Sequence, residues 1–135
     1  MSRLQYTYAL ASAIVSTLLT ATTETATFTS STATLPAGAK GDAAVLVNMD
    51  HDTAGTGSTA SAQIQSSPHG AATWTNVGAA VPVAKTGVGN DFRALIPFDA
   101  GDVTGTDIQV VVTIAAGSGS TPSYKTSLAL LSWVP

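Results

Sequence analysis

Residues 59–77, TASAQIQSSPHGAATWTNV, decide the fold that this sequence predicts. In the first half, alanine and isoleucine alternate with serine and glutamine, which is the period of a half-buried strand. Pro68 and Gly70 then supply turn chemistry, because proline presets φ and glycine accepts a positive φ. A second strand follows the turn, so the stretch is expected to form a β-hairpin.

Two side chains of this hairpin, His69 and Trp74, raise the question of whether it is a ligand-binding tip or a structural turn. We expect Trp74 to be mostly buried and to share a core face with Ile64 on the other strand. We expect His69 to be an exposed turn residue with no catalytic role. The hairpin is therefore interpreted as part of a scaffold.

The rest of the chain repeats this short-strand character, and only residues 9–19 are also compatible with a short helix. Glycine, proline and aspartate separate the segments, and DHDTAGTG (50–57) is expected to be a loop. The pattern predicts an all-β protein, an antiparallel β-sandwich or jelly roll of about eight strands with an ordered N-terminal arm. The further strand candidates are 4–10, about 24–29, AAVLVNM (43–49), VPV (81–83), FRALIPF (92–98), IQVVVTIAA (108–116) and YKTSLALLSWV (124–134).

The N-terminal region is weakly apolar and could be taken for a secretory signal. It is short, it contains many serines and threonines, and no clear small-residue cleavage site follows it. Residues 1–22 are therefore expected to form an N-terminal arm or first strand of the mature protein, and residues 23–135 the β-sandwich (jelly-roll) domain. The apolar run is too short and too polar to span a bilayer, so no membrane partner is expected.

Composition limits the classes of function. The 135 residues include 21 threonines and 23 alanines, only 10% are charged, and the formal net charge is −3. A surface with so few charges has little colloidal repulsion and is suited to packing against other subunits. The basic residues are scattered, so nucleic-acid binding is not expected. Cysteine is absent, which excludes disulfides and thiolate chemistry.

Neither a metal site nor a catalytic site is predicted. Asn48, Asp50 and Asp52 could supply only some of the oxygens that calcium requires, and Asp99, Asp102 and Asp107 lack the calcium-loop spacing. Aspartate and glycine are also ordinary turn formers. The two histidines, His51 and His69, do not occur in a recognised catalytic pattern, and G-x-S-x-G is absent. We therefore expect no enzyme activity and no cofactor.

One short stretch has the composition of an interface. Arg3, Leu4, Tyr6 and Tyr8 combine large contact area with polar ends, which favours such residues at contact centres. The alternation in LQYTYAL is that of a one-sided strand. This strand either completes the sheet of its own domain or docks on a neighbouring subunit.

The order of these segments resembles the small jelly-roll cement, or decoration, proteins of tailed-bacteriophage capsids. The resemblance extends from about residue 10 to residue 132. It covers the Thr/Ala-rich SAIVSTLLTATTETATF, the turn and strand LPAGAKGDAAVLVNMD, the hairpin, FRALIPF, and the final pair DIQVVVTIAAGSG and SLALLSW. In the hairpin, His69 occupies the usual aspartate position and Trp74 lies one residue later than the commonest spacing.

The resemblance implies a non-enzymatic virion protein on the outer surface of an icosahedral phage head. Its partners would be the major capsid protein and other copies of itself on a symmetric lattice. Two alternatives stay open. One is a carbohydrate-binding β-sandwich with Trp74, Tyr124 or Trp133 stacking on sugars, and the other is a tail or connector component. A secreted adhesion domain would require the N-terminal run to be a true signal.

Overall fold

The computed structural model describes residues 13–36, 42–53, 59–83, 91–101, 103, 105–115 and 122–133. Within these ranges every regular element is a β-strand, so the predicted all-β class is confirmed. The nine strands are β1 (Ala13–Glu24), β2 (Phe28–Thr29), β3 (Ala33–Thr34), β4 (Asp42–Thr53), β5 (Thr59–Ser67), β6 (Thr75–Pro82), β7 (Asp91–Asp99), β8 (Asp107–Ala115) and β9 (Ser123–Trp133).

The strands form two antiparallel sheets with the connectivity of a jelly roll. Sheet A has the order β1-β9-β4-β7, and sheet B has the order β2-β8-β5-β6, with β3 also paired to β8. Since β2 and β3 lie along the same partner, they act as one interrupted strand. The eight resulting strands then run first-eighth-third-sixth in one sheet and second-seventh-fourth-fifth in the other, which is the double Greek key of a jelly roll.

The central strands of sheet B follow the alternation in the sequence. On β5, Ala60, Ala62 and Ile64 are buried, while the alternate residues Ser61, Gln63 and Gln65 are half-buried on the outer side. On β8, Val110 and Val112 are fully buried and pair with Ile64 and Ala62. Period-two patterning therefore places both strands with one face in the core.

The two sheets enclose a single hydrophobic core. Aliphatic side chains from β4, β8 and β9 form its centre, with contributions from β1 and β5. Its largest fully buried members are Tyr124, Leu18, Met49, Ile108, Leu128 and Leu130.

β4 is longer than its sequence pattern indicated. It continues through Thr53, so Asp50 lies within a paired strand and the expectation of a loop at 50–57 was wrong for residues 50–53. The strand extends because β7 pairs with β4 as far as Asp50, and β9 continues to pair with it through Thr53. Neighbouring strands here outweighed the low strand propensity of aspartate.

The first strand runs across the division that we placed at residue 22. Residues 13–24 form β1 and pair with β9, so the helix alternative was wrong for residues 13–19. Two register shifts interrupt this pairing, near Thr17 and Leu19. Residues 1–12, which include the strand predicted at 4–10 and the first part of the arm predicted at 1–22, lie outside the described residues. In the described ranges no helix is long and apolar enough to cross a lipid bilayer.

Candidate functional site

The hairpin turn is held by a buried carboxylate. Asp107 opens β8 beside Ser67, and β3 pairs with the same end of β8. Its Oδ2 accepts a hydrogen bond from the Gly70 amide at 3.0 Å. Its Oδ1 accepts from Thr34 Oγ1 at 2.9 Å and lies 2.9 Å from His69 Nδ1. Asp107 therefore joins β3, β8 and the turn between β5 and β6.

The turn has its own internal bonds. The Ala71 amide donates to the Pro68 carbonyl at 2.9 Å, and the Thr73 amide donates to Ser67 Oγ at 2.9 Å. Gly70 has a φ of +74°, a conformation that glycine adopts without steric cost. Because the amides of Gly70, Ala71 and Thr73 all donate to protein acceptors, the turn is interpreted as a structural connection.

His69 is exposed, as predicted, with 76% of its side chain accessible. Because an ionised carboxylate only accepts hydrogen bonds, His69 Nδ1 carries the hydrogen in this contact with Asp107. The side chain thus covers the Asp107 carboxylate from outside. The sequence did not indicate this partnership, since the two residues are far apart in the chain.

Trp74 departs from the prediction. It is half-buried and lies directly before β6, and it is not among the described side chains that form or pack against the core. Ile64 pairs instead with Val77, which does pack against the core. Val77, and not Trp74, therefore shares the core face of the hairpin with Ile64.

The contacts of Asp107 lower its pKa. The Gly70 amide has the largest effect, the His69 hydrogen bond follows, and Thr34 adds to both, while burial acts in the opposite direction. Since the folded pKa lies below that of the unfolded chain, Asp107 contributes stability above about pH 4. This contribution is lost as the pH falls through the lowered value.

The variant Asp107→Asn tests this linkage. The amide oxygen can still accept from the Gly70 amide, and the NH₂ group can donate to the Thr34 hydroxyl or to the other tautomer of His69, so the variant loses the negative charge that strengthens these hydrogen bonds. We expect a lower melting temperature at pH 7 and a smaller loss of stability on acidification, measured by thermal unfolding from pH 7 to pH 2. The exposed Asp99→Asn is the matched control. Equal acid sensitivity of wild type and Asp107→Asn would contradict the role of this carboxylate.

In the described part of the chain, the aspartates that were considered as calcium ligands do not come together in one group. Among the described residues, no cluster of three His, Asp or Glu side chains has the geometry to hold a metal ion. Asp107 is committed to the turn, and Asp99 Oδ1 accepts a hydrogen bond from the Gly101 amide at 2.7 Å. Asp102 lies outside the described residues. The absence of metal, cofactor and catalysis stays a prediction.

The aromatic platform of the carbohydrate-binding alternative is incomplete. Tyr124 is fully buried in the core, so it cannot stack on a sugar. Trp74 is half-buried, and the side chain of Trp133 lies outside the described part of the structure. The described structure thus supplies one partly exposed ring of the three.

Arg3, Leu4, Tyr6 and Tyr8 also lie outside the described residues, so their role as an interface stays a prediction. The structure instead draws attention to the outer surface of sheet A, which we call face A. Face A consists of the side chains on β1, β9, β4 and β7 that point away from the core.

Strand register gives the arrangement of face A. Ala44 pairs with Pro97 and Leu131, and Leu131 pairs with Val15. The next outward row holds Leu46, Leu95, Ala129 and Thr17. Face A therefore carries two adjacent rows of mainly apolar side chains.

Val15 and Leu95 are the exposed large hydrophobic residues of the described structure, at 64% and 55% exposure. An exposed apolar patch of this kind is typical of an interaction surface. FRALIPF contains adjacent apolar residues, and because side chains alternate along a strand, one of each adjacent pair lies on the side of the sheet away from the core. That signal was present in the sequence, although we used it only to predict a strand.

Two cavities accompany these features. One, of about 300 Å³, lies between the edge strands β6 and β7 and is lined in part by Asn76, Phe98 and Asp99. The other, of about 280 Å³, is a depression on face A beside the irregular part of β1, and Thr17, Leu46, Ser127 and Ala129 contribute to it. The depression makes face A uneven, which favours an interlocking partner.

Comparison with known proteins supports the fold. The chain aligns with a crystal structure of the infectious bursal disease virus VP2 subviral particle, at a TM-score of 0.61 and 16% identity, over 90% of this chain and 32% of that one. A crystal structure of the T13 particle of this virus gives 0.59 and 14% identity, over 91% and 31%. The structure of its Gt strain gives 0.58 and 16%, over 90% and 32%.

These matches define the chain as a jelly-roll β-sandwich of the architecture found in viral capsid proteins. The three neighbours named above are structures of infectious bursal disease virus, and they do not test the resemblance to phage decoration proteins. The chain spans about a third of the length of the structures that it matches. No protein-family model matches the chain, and the comparison with curated proteins gives no match.

Proposed function

We propose that this chain is a structural, non-enzymatic protein of a virus particle. The observation that carries the proposal is the jelly-roll strand order, shared over 90% of the chain with capsid proteins of an icosahedral virus. Fold alone does not determine function, so the surface must support the assignment as well.

The surface properties agree with a lattice protein. Only 10% of the residues are charged, and face A exposes Val15 and Leu95. Repetition over a symmetric shell converts many weak contacts into firm attachment, so no single tight site is required. The partners in this proposal are a major capsid protein and other copies of the chain.

Within the particle, the proposed role is that of a cement or decoration protein on the outside of a phage head. This finer assignment rests on the sequence resemblance, and the chain would reinforce contacts between major capsid proteins.

The proposed attachment segment is Arg3, Leu4, Tyr6 and Tyr8. It precedes β1, which is an edge strand of sheet A. An extended segment leaving a sheet edge can add a strand to a neighbouring subunit, where main-chain bonds supply affinity and alternate side chains supply specificity.

The test is binding to undecorated particles of the virus that encodes the chain. We expect the purified protein to co-sediment with them and to raise their resistance to heat. The double variant Tyr6→Ser, Tyr8→Ser should bind at least about tenfold more weakly, because buried tyrosines are frequent centres of binding energy. Thr7→Ala, at the intervening position, is the matched control. Absence of both binding and heat protection would overturn the proposal.

A further inference from the structure

We propose that face A is a self-complementary surface through which two copies of this chain pack with their strands antiparallel. The inference deepens the proposed function by naming the surface for self-association, and it rests on that function only for its use in a lattice. The distribution of charge along the strands indicates that the partner on face A is a second copy of the chain.

Face A has an acidic end. Asp42 and Asp99 pair with each other at one end of β4 and β7, and both are exposed. The two apolar rows follow along the strands. The next row carries Asn48 and Arg93, which pair across the same two strands, and Arg93 is 64% exposed.

The row beyond Arg93 is mixed. It holds Asp50 and Lys125, with Asp91 at the corresponding register position of β7. Asp50 Oδ1 lies 3.9 Å from Arg93 Nη2, which is a long ion pair. The planar guanidinium has five N–H donors, so it can bind a second carboxylate from another molecule.

The proposed twofold axis lies in the plane of face A, runs perpendicular to the strands and is level with Val45. This axis places each strand of one copy over the same strand of the other copy, running in the opposite direction. A row on one side of Val45 in one copy then faces the row at the same distance on the other side of Val45 in the partner copy. Arg93 lies over the partner's Asp99, and the reciprocal contact follows by symmetry. An axis along the strands would instead bring the acidic ends of both copies together, so electrostatics selects the antiparallel arrangement.

The apolar residues satisfy the same symmetry. The row of Leu46 and Leu95 meets the partner's row of Ala44 and Pro97, so large side chains oppose smaller ones. Val15 lies over the partner's Thr17 and Ala129, at the edge of the depression on face A. Packed sheets tolerate a relative rotation of about 30°, and the length of arginine spans the displacement that this rotation causes.

The size of face A predicts a weak dimer. Strands about 4.8 Å apart and alternate residues about 6.6 Å apart give an area of roughly 20 by 25 Å on each copy. The resulting total of about 1,000 Å² is at the low end for specific interfaces. We therefore expect a dissociation constant of the dimer between about 10 µM and about 1 mM. The fraction of paired copies should be higher where a lattice concentrates them.

Sedimentation equilibrium of the isolated full chain tests the inference. The apparent mass should rise from 13.5 kDa toward twice that value with concentration. Arg93→Asp and Asp99→Arg should each weaken dimerisation by well over tenfold, because each places like charges opposite each other. The double variant restores the opposite charges and should recover most of the association.

Two further variants control for folding and location. Leu95→Glu on face A should abolish dimerisation, whereas Thr113→Glu, exposed on the outer side of sheet B, should leave it unchanged. Asp99→Arg also removes the hydrogen bond that Asp99 accepts from the Gly101 amide. If this loss lowers the melting temperature of the variant, Leu95→Glu is the variant that decides.

A chain that stays monomeric to 1 mM, at the upper end of the about 10 µM to about 1 mM range, would overturn the inference. So would a dimer that is insensitive to Leu95→Glu, or a stable double variant that does not recover. None of these results would affect binding to particles, which is measured separately.

Discussion

Replacing Gly105 by alanine is expected to cause severe loss of stability. A Cβ atom at this position would overlap the backbone of Ser67 and the nitrogen of Pro68. Backbone cannot rotate away as a side chain can, so the turn and the β7–β8 loop would have to separate. The cost should reach or exceed the upper end of the about 1–3 kcal/mol usual for overpacking. Urea unfolding followed by circular dichroism measures it.

The separation would also disturb Asp107, two residues further along the chain, and its bond to the Gly70 amide. Gly101→Ala, in the same loop, is the matched control. Its Cβ would meet only the Asp99 Oδ1 atom, at 3.2 Å, and this side chain can shift. Similar unfolding midpoints for the two variants would show that the close approach of the two loops is not required.

Leu130→Ala is the second variant for which a large effect is expected. Leu130 is 1% exposed and pairs with Val45 at the centre of sheet A, where both side chains face sheet B. Truncation removes buried methyl groups and leaves a cavity between rigid sheets. The expected loss is about 2–5 kcal/mol in the free energy of unfolding, again measured with urea.

Leu95→Ala provides the comparison for the same chemical change. Leu95 lies on the opposite side of sheet A and is 55% exposed, so its truncation should cost only about 0.5 kcal/mol in the monomer. The measurement belongs at low protein concentration, where association through face A is negligible. Comparable losses at the two positions would contradict the assignment of core and outer face.

Local patterning predicted most of the fold. The alternation in β5 and the apolar run in β8 fix which side chains face the core, and the turn at Pro68 fixes where the hairpin reverses. The strand order could not be derived from these patterns, because it depends on which distant strands pair. Hence the extension of β4 through Thr53 was missed.

The candidate sites were less predictable than the fold. Asp107 resembled one of several turn aspartates, and only the tertiary structure brings it to His69 and Thr34. Trp74 was assigned to the core because burial of a large aromatic side chain usually stabilises a protein. In the structure β6 begins at Thr75, so Trp74 lies before the strand and not in it. Face A required the registers of four strands, so a single-segment pattern could not reveal it.

The position of β9 has a consequence for folding. Of the described strands β9 comes last in chain order, and it lies between β1 and β4, pairing Thr17 with Ala129 and Val45 with Leu130. Until β9 has been synthesised, β1 lacks its neighbour in sheet A, and β4 has an unpaired edge. Because such distant pairings form slowly, the growing chain is expected to complete its folding only after synthesis of β9 and to depend until then on protection from aggregation.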